Sequence, residues 1–156
     1  MDERKLNRRQ LREKALQVLY AAEFNWENLE FMITDIFSEI PNEDGVEFGV
    51  QLIRKVIGNR SMLDEQIIKR TENWELKRVS LIDRILLRIA IAEFLFFPEI
   101  PAKVSINEVI EIAKIYSTEN SGRFINGILD SIYNELKKNN ELNKTGRGLI
   151  DKPKPR

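Results

Sequence analysis

The sequence predicts an all-α protein built from two helical halves. Apolar residues recur at three- and four-residue spacing along most of the chain, which is the period of an amphipathic helix. No stretch alternates cleanly between apolar and polar residues, so the signals of β-strands are absent. A chain of 156 residues has the length of one domain or two small subdomains, and it can bury a core without disulfides.

Four helices are predicted in the first half of the chain. The first runs from about Asn7 to Asn25, and Pro41 ends the second. The third begins near Val46, and Gly58 and Asn59 separate it from the fourth. The first helix has one apolar stripe, which consists of Leu11, Ala15, Val18, Leu19 and Ala22.

Serines mark the predicted helix starts in the second half. Ser80 and Ser105 each precede an acidic residue by three positions, which is typical of a helix N-cap. Ser80 opens the helix Leu81–Phe97, which Pro98 closes. This helix is apolar on most of its circumference, so we expect it to be central. The last helix begins at Asn120–Gly122.

The domain organisation follows from these elements. We expect one helical domain over residues 1–138, with an N-terminal bundle at about 5–70 and a C-terminal bundle at about 78–138. Residues 139–156 are rich in Asn, Lys, Gly and Pro and poor in apolar residues. Such a segment buries too little surface to offset its ordering entropy, which predicts a disordered basic tail.

The composition excludes many kinds of chemistry. The chain has no cysteine and no histidine, which removes thiolate nucleophiles, the commonest metal ligands and the commonest general base. No glycine-rich phosphate loop or metal-ligand spacing accompanies the carboxylates. We therefore expect no enzyme activity, no cofactor and no metal site.

Two further features bear on location. The charged N-terminus does not resemble a secretory signal. The most apolar stretch contains Asp83, Arg84, Arg88 and Glu93, so it reads as a buried helix and not as a membrane span. We expect a cytoplasmic protein without a membrane partner.

Charge is concentrated at the two ends of the chain. Residues 1–16 contain six basic and three acidic residues, and residues 137–156 contain seven basic and two acidic ones. The whole chain has 25 of each, so the middle is acidic. An acidic body with basic ends suits two different partners.

The basic start is a candidate RNA contact. Its basic residues lie three, four and seven positions apart, which would place them on one ridge of a helix. Arginine donates two parallel hydrogen bonds to phosphate and stacks on unpaired bases. The alternative is an ordinary solvated helix face. The ridge consists of Lys5, Arg8, Arg9 and Arg12.

A second candidate is the segment from Asn120 to Gly127. A helix start with exposed N–H groups and a nearby arginine can receive a phosphate, and Phe124 could stack on a base. The alternative is a helix cap followed by a core phenylalanine.

Charged residues on the central helix have two readings. They pair with other residues inside the fold, or they select a protein partner at the rim of an interface. Spacing alone does not separate these readings.

Four ordered blocks of the chain resemble the NusB family of transcription antitermination factors. The resemblance covers about Arg4 to Leu136, and the tail lies outside it. The blocks are Arg8-Arg9-x-x-Arg12-Glu13-x-Ala15-x-Gln17-x-Leu19-Tyr20, Ile82-Asp83-Arg84-x-x-Leu87-Arg88-Ile89-Ala90 with Glu93, Ile106-Asn107-Glu108-x-Ile110-Glu111-x-Ala113-Lys114, and Glu119-Asn120-Ser121-Gly122-Arg123-Phe124-Ile125-Asn126-Gly127-Ile128-Leu129-Asp130.

The resemblance implies two small helical bundles packed together and a role in antitermination. The expected partners are boxA RNA of nascent ribosomal RNA, the small-subunit ribosomal protein NusE and the RNA polymerase antitermination complex. Tyr20 and Asp83 would face NusE. The residues implied to contact RNA are Arg8, Arg9, Arg12, Asn120, Ser121 and Phe124, to which the basic ridge adds Lys5.

Two positions depart from some members of the family. Gln10 stands where some have an arginine, which would weaken the basic ridge. Asn120 stands where some have an aspartate, and removing a negative charge beside RNA should favour binding.

Two other functions compete with antitermination. One is a homodimeric protein-interaction module whose basic end is only solvated. The other is the regulatory domain of an RNA-modifying enzyme, which this sequence disfavours because it has no room for a nucleotide-binding catalytic domain.

Overall fold

The helices follow one another in the order that the sequence predicts. A computed structural model describes residues 7–41, 43–71 and 79–150 of the chain, with every side chain except that of Asp44. The described residues contain seven α-helices and no strand, which confirms the all-α prediction. None of these helices is long and apolar enough to span a membrane. The helices are α1 (Arg8–Phe24), α2 (Leu29–Phe37), α3 (Glu43–Gly58), α4 (Arg60–Ile68), α5 (Leu81–Phe96), α6 (Ala102–Tyr116) and α7 (Ser121–Lys138).

The chain divides into two compact units between Gly58 and Asn59. The sequence predicted this division later, near residues 70–78. It falls earlier because α4 packs on α5 and so belongs to the second unit.

The first unit is organised by the contact between α1 and α3. The predicted apolar stripe of α1 is fully buried, which confirms it. Helix α3 contributes the buried residues Phe48, Leu52, Ile53 and Val56 to the core of this unit. Burying a side chain of this size contributes about 1.5–3 kcal/mol to stability. This packing fixes the direction of α1 and therefore of the side chains on its outer face.

Helix α5 is the centre of the second unit, as predicted. It contacts α4, α6 and α7. Every residue from Asp83 to Phe94 except Arg84 is buried. The Ser80 hydroxyl accepts a hydrogen bond from the Asp83 N–H at 3.1 Å, which confirms the predicted N-cap.

Helix α6 begins four residues before the predicted start. Pro101 is its N-cap residue, with φ −60° and ψ 136°. A proline fits a helix start because its missing N–H would have no partner there and its φ is already helical. Ser105 is instead fully buried inside α6 and donates to Glu93 Oε1 at 2.7 Å. The prediction of an N-cap at Ser105 is therefore wrong.

Residues 139–150 differ from the predicted disordered tail. Asn140 adopts a left-handed conformation with φ 56° and ends α7, because the N–H groups of Asn140 and Glu141 reach back to the last turn. The chain then returns to α5, where the Thr145 N–H donates to Pro98 O at 3.0 Å. Gly148 packs so closely on Pro98 that a Cβ there would overlap its carbonyl oxygen. Residues 151–156 of the predicted tail lie outside the described residues.

Lys144 is the main anchor of this returning segment. Its ammonium group donates to the carbonyl oxygens of Glu93 and Phe97, both at 3.0 Å. These carbonyls belong to the last turn of α5, where orphan acceptors and the helix dipole favour a cation. Polar contacts with one helix end, not apolar burial, order the segment.

Candidate nucleic-acid and partner interface

The start of α1 is closed by a reciprocal cap. Asn7 Oδ1 accepts from the Gln10 N–H at 2.8 Å, and Gln10 Oε1 accepts from the Asn7 N–H at 2.9 Å. This is a capping box with Gln at the third helical position. Gln10 therefore has a structural role that an arginine could not fill. The first turn contains no acidic residue, so nothing within that turn repels a phosphate.

The arginines of α1 divide into two kinds. Arg8 and Arg9 are exposed, whereas Arg12 is only 2% exposed. The guanidinium groups of Arg8 and Arg12 lie 4.4 and 5.4 Å from the centroid of the Phe48 ring. Stacking on this ring orders both side chains.

The predicted ridge is therefore shorter on the surface than the sequence suggests. Arg12 lies at the edge of the apolar stripe, where α3 covers it, and its guanidinium is not offered to solvent. Of the ridge residues that the structure describes, Arg8 and Arg9 remain exposed. Lys5, the other predicted member, lies outside the described residues.

The other end of α1 presents exposed aromatic rings. The rings of Tyr20 and Phe24 lie with centroids 5.3 Å apart and a tilt of 55°, and they are 41% and 72% exposed. Trp26 and Phe31 follow in the same unit and are also more than half exposed. Exposed aromatic side chains at this density indicate a binding surface.

Sequence reasoning singled out Tyr20 but missed Phe24. The signal was available: Phe24 lies four residues after Tyr20, off the apolar stripe, so both rings share one outward face of the helix. We call Tyr20 and Phe24 the aromatic pair.

The start of α7 belongs to the second unit and is built differently. Asn120 is exposed and makes no side-chain capping bond, Ser121 is buried, and Phe124 is half-buried. Arg123 beside them is exposed. Of the residues predicted here, Asn120 and part of Phe124 are accessible, whereas the Ser121 hydroxyl faces inward.

Asp83 is also directed inward. It is 7% exposed, and its two carboxylate oxygens accept hydrogen bonds from Ser117 Oγ at 2.8 Å and Ser121 Oγ at 2.9 Å. The expectation that Asp83 faces a protein partner does not agree with this placement. A buried carboxylate whose two oxygens both accept hydrogen bonds from hydroxyls of the same unit serves the fold.

Arg88 and Glu93 of α5 also have partners inside the second unit. Arg88 is held by both carboxylate oxygens of Asp64, at 2.7 and 3.1 Å, and Glu93 accepts from Ser105. For Asp83, Arg88 and Glu93, the structure therefore supports internal pairing. Acidic side chains in the described residues form no group that could hold a metal ion.

Comparison with known proteins gives the chain its family. The family model described as the NusB family matches residues 9–134, well over half of the chain. The chain belongs to the NusB family. The match includes Arg9, Arg12 and the segment from Asn120 to Gly127, and it ends before the returning segment 139–150.

Relatives in sequence extend along nearly the whole chain. The transcription antitermination protein NusB of Chloroherpeton thalassium is 48% identical over 150 residues, which cover 95% of this chain and 71% of that protein. The protein of the same name from Salinibacter ruber is 43% identical and covers 92% of this chain and 91% of its own length.

Solved structures of the family agree with the fold. The structure of NusB from T. maritima has a TM-score of 0.79 and 43% identity, and it covers 85% of this chain and 94% of that one. A complex described as antitermination factors NusB and NusE with double-stranded RNA has a TM-score of 0.73 and 25% identity. The match covers 82% of this chain and 96% of that chain.

Proposed function

We propose that this protein is a transcription antitermination factor that binds boxA RNA of nascent ribosomal RNA transcripts together with NusE and promotes processive transcription by RNA polymerase. Its relatives carry the antitermination name, and one solved relative is described in complex with NusE and RNA. The observation that carries the proposal is the chemistry of α1, which exposes arginines at its first turn and an aromatic pair at its last. Binding, without catalysis, is the proposed activity.

The RNA side of the proposal rests on Arg8 and Arg9. Both guanidinium groups lie on the surface at the N-terminal end of α1, where the helix dipole also favours an anion. The ring of Phe48 holds Arg8 at 4.4 Å, so less side-chain freedom is lost when it binds a phosphate. Asn120, Arg123 and Phe124 supply a second set of contacts from α7.

The protein side rests on the aromatic pair. Tyrosine and phenylalanine are enriched at the centre of protein interfaces, where large rigid rings bury much area at low entropy cost. Burial of Phe24, which is 72% exposed in the free chain, would remove an apolar surface from water. NusE is the proposed occupant of this surface.

We expect this protein to bind RNA in a complex with NusE, because its own RNA contact contains few charges. Few exposed arginines on a chain with no net charge bind RNA weakly alone. A partner that touches both the aromatic pair and the RNA makes the second contact intramolecular, which raises the overall affinity.

RNA binding with and without NusE tests the proposal. The full-length protein is titrated with a boxA-containing RNA and with a scrambled RNA at several salt concentrations. We expect preference for boxA and tighter binding when NusE is present. If four phosphates are contacted, log K should fall against log salt with a slope of about −3.

Two single-residue variants localise the two contacts. Arg9→Ala should weaken RNA binding and reduce the slope by about 0.7, because one phosphate contact is lost. Phe24→Ala should weaken NusE binding and leave RNA binding by the isolated protein unchanged. Equal binding to both RNAs, with and without NusE, would contradict the proposal.

The exposed aromatic rings favour one second candidate, a homodimeric interaction module. In that case the rings would pack on a second copy of this chain. Sedimentation of the free protein distinguishes the two functions. The homodimeric module would be supported by a dimer that the Phe24→Ala substitution dissociates and that NusE does not.

A further inference from the structure

We propose that Asp83 is a positioning residue for RNA binding, because its carboxylate fixes the turn that leads from α6 into α7. This inference rests on the proposed function and deepens it. Asp83 contacts no RNA in this proposal. It acts through Ser117 and Ser121, which lie at the two ends of the turn.

The carboxylate is itself firmly placed. Asp83 lies at the third position of α5, where its backbone N–H donates to the Ser80 hydroxyl at 3.1 Å. The first turn of a helix favours a negative charge, and the start of α7 supplies a second such environment. An ionised aspartate accepts hydrogen bonds and donates none, which matches two hydroxyl donors directed at its two oxygens.

The turn is held at both ends. Ser117 is the C-cap residue of α6, and Ser121 is the first residue of α7. Each donates to a different oxygen of Asp83, and the two hydroxyls are 2.8 Å from each other. Thr118 Oγ1 lies 3.1 Å from Ser121 Oγ and joins the same network. We call Asp83, Ser117, Thr118 and Ser121 the turn network.

The opposite face of the turn bears the proposed RNA contacts. Asn120 and Arg123 are exposed, whereas Ser121 between them is 4% exposed. The inward hydrogen bond of Ser121 fixes the backbone to which the exposed residues Asn120 and Arg123 are attached. The turn network therefore sets the positions of Asn120, Arg123 and Phe124 before RNA arrives, and preorganisation of this kind raises affinity.

The two possible roles of Asp83, as a negative charge and as a support of the turn, predict opposite effects of its replacement on RNA affinity. If Asp83 acted only through its negative charge, removing the charge would tighten binding to anionic RNA. If it positions the turn, Asp83→Ala weakens binding to boxA RNA by about tenfold, since the ordering of the turn must then be paid on binding. Asp83→Asn restores most of the affinity, because an amide can accept from one serine and donate to the other.

A matched serine pair controls for general loss of stability. Ser121→Ala and Ser105→Ala each remove one buried hydroxyl that donates to a buried carboxylate in the same unit. Only Ser121 belongs to the turn network. We expect Ser121→Ala to weaken boxA binding several-fold and Ser105→Ala to leave it unchanged. If Asp83→Ala does not fold, the serine pair still decides the question.

Hydrogen exchange measures the positioning without RNA. Protection of the amides at positions 121 and 124, which donate to the carbonyl oxygens of Thr118 and Asn120, should fall in Asp83→Ala and Ser121→Ala and persist in Ser105→Ala. The inference would be overturned if Asp83→Ala and Ser121→Ala kept the amide protection of the unaltered protein. It would also be overturned if they bound boxA RNA as tightly as the unaltered protein at equal folded fraction. Failure of the unaltered protein to prefer boxA would instead overturn the proposed function, and the exchange result would still judge the turn network.

Discussion

The starts of α1 and α7 carry the two predicted halves of the RNA contact, and they are stabilised in different ways. Asn7 and Gln10 close the start of α1 across three residues. The start of α7 is held by Asp83, which precedes Ser121 by 38 residues. Its own N-cap residue, Asn120, makes no capping bond.

This difference explains which predicted residues are accessible. A helix start that is capped locally leaves its flanking arginines Arg8 and Arg9 on the surface. A helix start that is held from another element must turn one side chain inward, and Ser121 is that side chain. Motif residues next to each other in sequence therefore take opposite roles, one supporting the fold and one facing solvent.

The largest effect on stability should separate the distant support from the local one. Asp83→Ala removes the acceptor of the buried Ser121 hydroxyl and of the half-buried Ser117 hydroxyl, and it should lower the free energy of unfolding by about 3 kcal/mol. Asn7→Ala should lower it by about 1 kcal/mol, the usual cost of losing an N-cap. Urea denaturation of both variants checks the order. Equal losses of stability in the two variants would contradict a greater contribution from the distant support of α7 than from the local cap of α1.

The arginines of α1 provide the next test. Arg12→Ala removes a buried side chain that stacks near Phe48 and should destabilise the protein by about 2 kcal/mol. Arg9→Ala removes an exposed side chain and should change stability by less than about 0.5 kcal/mol. Thermal unfolding of the two variants is the measurement. An Arg12→Ala variant as stable as the unaltered protein would contradict a supporting role for the contact between Arg12 and Phe48.

Gly127 allows a smaller change in the opposite direction. It lies exposed inside α7, and a Cβ there would meet no atom within 4 Å. Gly127→Ala should therefore stabilise the protein by about 0.8 kcal/mol, because alanine loses less backbone entropy in a helix. Urea denaturation measures the gain. A loss of stability would reveal a close contact that this structure does not contain.

A separate, pH-dependent effect concerns Lys144, which supports the C-terminal end of α5 from a distant part of the chain. Burial lowers the pKa of Lys144 from 10.5 to about 8, and Glu93 and Glu99 oppose the shift. Between these two pH values the unfolded chain binds more protons than the folded one, so the free energy of unfolding should rise with pH. The neutral amine still donates to the α5 carbonyls, so the segment is retained.

Comparison with Lys144→Met isolates this titration from those of other groups. The stability of the unaltered protein relative to the variant should be constant below pH 8 and should increase between pH 8 and pH 10.5. Parallel stability curves for the two proteins across that interval would contradict the lowered pKa of Lys144.

The fold and part of the site were predictable because their signals are local. Helical periodicity located the stripe of α1, and Ser80 located the start of α5. Ser105 misled because the same serine–acid spacing occurs inside a helix, where the hydroxyl bonds to Glu93 of another helix. The disordered tail was predicted from its composition, which does not record that Lys144, Thr145 and Gly148 contact the end of α5 and the residues just after it.

The sequence by itself determined the helices, the central place of α5 and the resemblance to the NusB family, since each depends on residue type and spacing along the chain. Only the tertiary structure decided that Arg12, Ser121 and Asp83 are buried. The physical reason is that burial depends on which neighbouring helix covers a side chain. Residues separated by tens of positions make that contact, and no local pattern records it.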